Sequence, residues 1–184
     1  MKREEALSLL KEKIKNQNLI KHSLAVEAIM KELAIFFKED SEKWALAGLL
    51  HDIDYEITKD QPEKHSLMAE EILSPFNLDR EIILAIKKHN PFHQLPLQSL
   101  IEKALYISDP VSGLIVASVL VLPSKKIQDL TVNNILNRFK EKSFAKGANR
   151  QIISQSENLL GLSLEKLFSF ALKAMQNISQ DLDL

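Results

Sequence analysis

Gly48-Leu49-Leu50-His51-Asp52-Ile53-Asp54-Tyr55 ends a run, Trp44 to Leu50, that is apolar or small on almost every side. That pattern belongs to a helix buried all round. An imidazole and a carboxylate follow directly, where hydrocarbon is expected. A buried unpaired carboxylate is costly, so Asp52 must be paired, protonated or bound to a cation. An adjacent His-Asp pair offers one nitrogen and one oxygen from a single rigid point, which suits a divalent metal. The competing reading is a helix C-cap with the pair exposed.

Outward from this stretch, apolar residues recur at helical spacing and no strand is convincing; about eight helices are expected. Residues 3 to 15 form the first, through Ala6, Leu9, Leu10 and Ile14. Asn18 is read as the N-cap of a second, running to about Lys38, whose inward stripe is His22, Val26, Ile29, Met30, Leu33 and Phe37. Ser41 caps the helix that carries His51 and Asp52. Asp54 to Gln61 reads as a polar loop, and Pro62 as the first residue of a helix with His65, Met68, Ala69, Ile72 and Leu73 on one face. Asp79 caps the next, with Ile82, Ala85, Ile86 and His89 in line. Residues 98 to 122 make a long helix or a broken pair, with Ile101, Leu105 and Asp109 aligned and Pro110 as the point of weakness. Beyond Pro123, helices are expected over Thr131 to Lys142, Arg150 to Leu160 and Leu164 to Ser179, with a stop at Gly161 and a cap at Ser163.

A chain of 184 residues is long enough for one domain with a sizeable core. The expected fold is all-α: one domain over 1–184, a metal-binding core over 18–122, and a helical extension over 123–184 packed on it. Formal net charge is -1, so no global field argues for a nucleic acid polymer or an acidic membrane. There is no cysteine, so any metal must sit on histidine and carboxylate. That favours manganese, iron, cobalt, magnesium or zinc. The N-terminus lacks a signal-peptide core, and the longest uncharged apolar run, Val111 to Pro123, is too short to span a bilayer. A cytoplasmic protein without membrane contact is the expectation.

His22, His51, Asp52, His65, His89 and Asp109 share one property: each falls on an inward stripe or ends a buried helix. Unsatisfied buried groups cost about 1–3 kcal/mol each. Either every one has its own hydrogen-bond partner in a purely structural core, or one or two divalent cations satisfy them together. His93, in the proline loop, is read as exposed.

The ordered series His22, His51-Asp52, His65, His89, Asp109 resembles the HD-domain metal-dependent phosphohydrolases, over roughly residues 18 to 122. Further likeness to an HDIG-type bacterial and archaeal subgroup lies in Ser112-Gly113-Leu114-Ile115-Val116-Ala117, Pro123-Ser124-Lys125, and Phe139-Lys140-Glu141-Lys142-Ser143-Phe144-Ala145-Lys146-Gly147. The resemblance implies His22, His51, Asp52 and Asp109 as ligands of a first metal. It implies His65 and His89 as additions for a second, with Asp52 bridging. Pro110 departs from the acidic residue that often follows the last aspartate in the subgroup.

Such a site activates water for attack on a phosphoester or phosphoanhydride. Asp54, two residues beyond the pair, is a candidate to orient that water, or else a loop carboxylate. Candidates to bind substrate phosphate are Lys125, Lys142, Lys146 and Arg150. The last three lie four residues apart, with Gly147 breaking any helix through them. The bland alternative is a core extension through Phe139, Phe144, Leu159, Leu160 and Phe168 with its lysines in solvent. The expected activity is hydrolysis of a small phosphorylated substrate, a nucleotide first. The alternative is a metal- or nucleotide-binding regulatory module without turnover.

Overall fold

Side chains that satisfy orphan backbone donors set most helix starts in this chain. The computed structural model describes residues 1–184, and every regular element is helical. The α-helices are α1 (Arg3–Lys13), α2 (Gln17–Phe37), α3 (Ser41–Leu50), α4 (Tyr55–Thr58), α5 (Leu67–Leu73) and α6 (Arg80–His89). They continue as α7 (Leu100–Leu120), α8 (Val132–Lys140), α9 (Arg150–Ile153), α10 (Ser156–Leu160), α11 (Leu164–Asn177) and α12 (Ser179–Leu182).

Two expected caps are displaced by one or two residues. Asn16, not Asn18, accepts the amide of Asn18 to start α2, and Asp40, not Ser41, accepts the amides of Glu42 and Lys43 to start α3. Asp79, Thr131 and Ser163 cap α6, α8 and α11 as read from the sequence. Gly161, at φ 66°, ends α10 in the left-handed conformation that glycine adopts without a side-chain clash. Two further corrections lie beside the HD pair. The segment read as loop contains α4, and the helix expected from Pro62 starts at Leu67. A series of turns precedes it, ending at Ser66 with φ 69°.

α7 runs unbroken through Pro110, so the long-helix option holds. The proline removes one intrahelical donor, and core packing on either side holds the helix together: Leu105, Ile107, Val111 and Leu114 are fully buried. By length and composition α7 could cross a bilayer, but here its apolar faces belong to the core.

The largest helix–helix interface joins α2 to α3; others join α6 to α7, and α2 to both α7 and α11. α3 approaches α2 backbone to backbone at Gly48. A Cβ there would lie 2.8 Å from the carbonyl oxygen of Val26 and 2.9 Å from Cα of Glu27. The apolar core is one cluster reaching from Ala6 to Leu182. The C-terminal helices share the core that holds α2, α3 and α7.

Candidate metal centre

The buried end of α3 delivers His51 and Asp52 between the flank of α2 (His22), the C-terminus of α6 (His89), the turn before α5 (His65) and the middle of α7 (Asp109). All six residues expected to meet do so. Asp52 is the hub. Its Oδ2 lies 3.5 Å from Nε2 of His51 and 3.6 Å from Nε2 of His22. Its Oδ1 lies 3.3 Å from Nε2 of both His65 and His89. Asp109 Oδ1 is 3.1 Å from Nε2 of His22 and 3.9 Å from that of His51. The two oxygens of one carboxylate thus face two different sets of imidazoles.

Every imidazole is held by its other nitrogen. Nδ1 of His51 is 2.8 Å from the carbonyl of Gly48, and Nδ1 of His89 is 2.6 Å from that of Ile86. Nδ1 of His65 is 3.0 Å from Asp54 Oδ1. Nδ1 of His22 is 3.0 Å from Ser112 Oγ, whose own proton goes to the carbonyl of Asp109 at 2.9 Å. Each acceptor requires a proton on Nδ1, so each neutral ring presents its Nε2 lone pair to the cage. Between His22 and His51 two such lone pairs face each other at 3.2 Å. A cation relieves that opposition. Donors held about 2.1 Å from an ion in a tetrahedral or octahedral shell lie about 3.0–3.4 Å apart. The spacings here are 3.1–3.9 Å, so the residues fit a divalent metal.

The HD domain profile matches residues 19–116, just over half the chain, and includes all six cage residues. The chain belongs to the HD-domain family. HD domains bind divalent metals and form a superfamily of metal-dependent phosphohydrolases, which agrees with the cage. Curated relatives include proteins named ribonuclease Y. That of Lawsonia intracellularis is 28% identical over 74% of this chain and 26% of its own. Those of Nitratidesulfovibrio vulgaris and Mycoplasma mycoides subsp. mycoides are 30% and 32% identical over 53% of this chain and 18–19% of theirs. This chain spans about a quarter or less of the length of these relatives. No solved structure matches it.

The electrostatics of the metal-free HD cage follow from the same geometry. Burial pushes His51 down to about 4, so it stays neutral. Burial also opposes protonation of His65, but its bonds to Asp52 and Asp54 prevail and raise it to about 10. His22 is likewise disfavoured by burial and raised by Asp109. For Asp52 and Asp109 burial favours the neutral acid, yet the surrounding imidazoles hold both below the usual carboxylate range. Without a cation, the cage places its compensating charge on imidazole.

Asp54 is not at the mouth. It is fully buried behind His65, with Oδ1 on the imidazole and Oδ2 accepting the amides of Ser66 at 2.7 Å and Ala69 at 3.2 Å. It positions a cage residue and has no face left for water. His93 is half-buried rather than free in its loop. A ring nitrogen lies 2.9 Å from the carbonyl of His65, and the Asn90 amide donates to that carbonyl at 3.0 Å. Periodicity singles out none of these supports: Asp54 stands out only by its nearness to the pair, Ser112 only by the motif it begins, and neither reveals which imidazole it holds.

The cage opens to solvent through a cavity of about 280 Å³ lined by Leu19, His22, Asp52, Tyr55, His65, Asp109 and Gly147. The segment after α8 thus reaches the mouth, but through glycine. Arg150 is spent elsewhere: its guanidinium donates to the carbonyls of Phe139 at 2.8 Å, Phe144 at 2.6 Å and Arg138 and Ala145 at 3.3 Å. It binds the 138–148 turn, so its donors face backbone carbonyls rather than a substrate phosphate. Lys142 and Lys146 are exposed on that turn, Lys146 next to Gly147, and neither lines the cavity. Lys125 is exposed in the turn beyond α7 and does not line it either.

Proposed function

We propose that this HD domain hydrolyses a phosphoester or phosphoanhydride of a small substrate, a nucleotide first. Its divalent cations would be held by His22, His51, Asp52 and Asp109, with His65 and His89 completing a second position. The observation that carries the reading is the division of Asp52 between two sets of imidazoles whose Nε2 lone pairs all face inward. Four imidazoles and two carboxylates favour manganese, iron, cobalt or zinc over magnesium, which prefers an oxygen shell. When bound, such ions supply water acidified toward neutrality and a Lewis acid for phosphate oxygens.

The chain's own contribution is orientation and exclusion. Asp54, Ser112 and the carbonyls of Gly48 and Ile86 fix the imidazoles, so no reorganisation is needed as charge develops. Ile53 beside Asp52, and Leu105 and Val111 on either side of Asp109 in α7, are buried in the core. Tyr55, edge-on to His65 with centroids 5.2 Å apart, flanks the open side, where its hydroxyl can reach an entering phosphate.

The name of the relatives raises a polymeric RNA substrate as a second reading. Two observations favour a small substrate instead. RNA binding relies on many lysine and arginine contacts, whereas no lysine or arginine lines the mouth and the net charge is -1. Phosphate release from a nucleotide panel and cleavage of a labelled oligoribonucleotide, each with manganese, cobalt or zinc, test both. Release that disappears in Asp52→Ala supports the proposal. Cleavage of the oligonucleotide alone replaces it with the second reading, and metal binding with no turnover points to a regulatory module.

A further inference from the structure

A second, larger cavity of about 490 Å³ shares His22 with the cage mouth and runs away from it between α2 and α7. On α7 its wall continues the stripe that begins at Asp109: Gly113 one turn on, then Val116 and Ala117, then Leu120. From Asp109 to Leu120 this covers about 16 Å of helix rise. Leu182 of α12 forms part of its lining. Gly113 and Ala117 lie four residues apart and carry almost no side chain, which brings the helix surface up as a flat floor. A Cβ at Gly113 would meet nothing within 4 Å, so the space above it is open. The rim is polar. The Asn18 side chain is exposed and makes no hydrogen bond within the protein, and Lys21 is paired with Asp183 at 2.6 Å.

We propose that this groove holds the nucleoside of a mononucleotide whose phosphate lies in the cage; the proposal rests on the phosphohydrolase reading of the same site. The groove is large enough for a small ligand, mainly apolar, with few polar groups at its edge, as ligand sites are. A planar heterocycle presents apolar faces to the Gly113–Ala117 floor and donors and acceptors at its edge. Asn18 offers a donor and an acceptor from one amide, the pairing asparagine makes with adenine edges elsewhere. A plain hydrocarbon chain would leave Asn18 and the Lys21–Asp183 pair against carbon. A polynucleotide would have to pass Asp183 and Asp109, where its phosphates meet carboxylates.

Adenosine 5′-monophosphate and ribose 5-phosphate carry the same ester, and only the first has a base. Binding of both to the full chain is measured by calorimetry, with and without manganese, while phosphate release is followed in parallel. The nucleotide should bind at least tenfold more tightly, and Gly113→Leu, which fills the open space on an exposed helix face, should bring that ratio to about one. Ala117→Leu repeats the test one turn further on, and melting curves certify that both variants are folded. Equal affinity for the two esters, no binding of either, or a preference that survives both substitutions overturns the groove. Preference without phosphate release leaves the groove standing and refutes the hydrolase reading. Release without preference does the reverse.

Discussion

Asp54→Asn replaces one carboxylate oxygen by an amide in a position with no freedom. The wild-type oxygens serve His65 on one side and the amides of Ser66 and Ala69 on the other. If the asparagine NH2 faced the two backbone donors, both would be left unsatisfied at a cost of about 2–6 kcal/mol. The oxygen therefore stays with the backbone and the NH2 faces Nδ1 of His65. That nitrogen must become an acceptor, so the proton moves to Nε2, which lies 3.3 Å from Asp52 Oδ1 inside the cage. His65 then has no lone pair to give a metal. Losing the partner of a ligating histidine typically costs about 10–100-fold in affinity, or about 1.4–2.7 kcal/mol. Calorimetric titration of metal-free protein with manganese should show the position built on His22, His51, Asp52 and Asp109 nearly unchanged and the other weakened by that factor. A folded variant that binds two ions as wild type does would refute the assignment of Asp54 as the group that orients His65.

Gly48→Ala drives a methyl to 2.8 Å from a backbone oxygen of α2, so the helices must part. Overpacking of this kind costs about 1–3 kcal/mol, read as a lower melting temperature. Arg150→Ala should lower the melting temperature by removing a guanidinium bound to four carbonyls at 3.3 Å or less. A raised Michaelis constant at unchanged stability would restore Arg150 to the phosphate site. Metal-free protein should be most stable near pH 6.5. His65, raised from 6.5 to about 10, contributes stability that is lost as pH rises through that range. His51, lowered from 6.5 to about 4, contributes stability that is lost as pH falls through its own. Loading the cage should release protons near neutrality, which calorimetry in two buffers of different ionisation enthalpy will count. Melting curves that are flat with pH, or no proton release, would count against the cage as described.

The helices and the six cage residues were legible because burial imposes a period, and polar residues that keep to that period stand out. Asp109 was visible four residues after Leu105, and His89 three after Ile86. The supports were not legible. Asp54 sits in irregular backbone between α3 and α4, and nothing in Asp-Tyr-Glu announces that its carboxylate turns inward to meet residues 11 to 15 positions later. Arg150 is hidden for a related reason: in sequence it is one cation of a basic cluster, and only the folded turn shows the carbonyls that take its donors. Pro62 is an acceptable first helical residue, while the left-handed Ser66 that sets the true start of α5 carries no mark in its residue type.

The histidines of the cage are anchored at very different chain distances. His51 and His89 each bond a carbonyl three residues back, within their own last turn. His22 depends on Ser112, ninety positions away. The first two anchors need only α3 and α6 themselves, whereas the His22 anchor needs α2 and α7 docked together. Closing so long a loop is the slow, entropically costly step. Half of the cage is thus a local product of the sequence and half a product of the finished topology. A His51 or His89 ring is therefore anchored by its own helix, whereas the His22 ring loses its anchor whenever α2 and α7 separate.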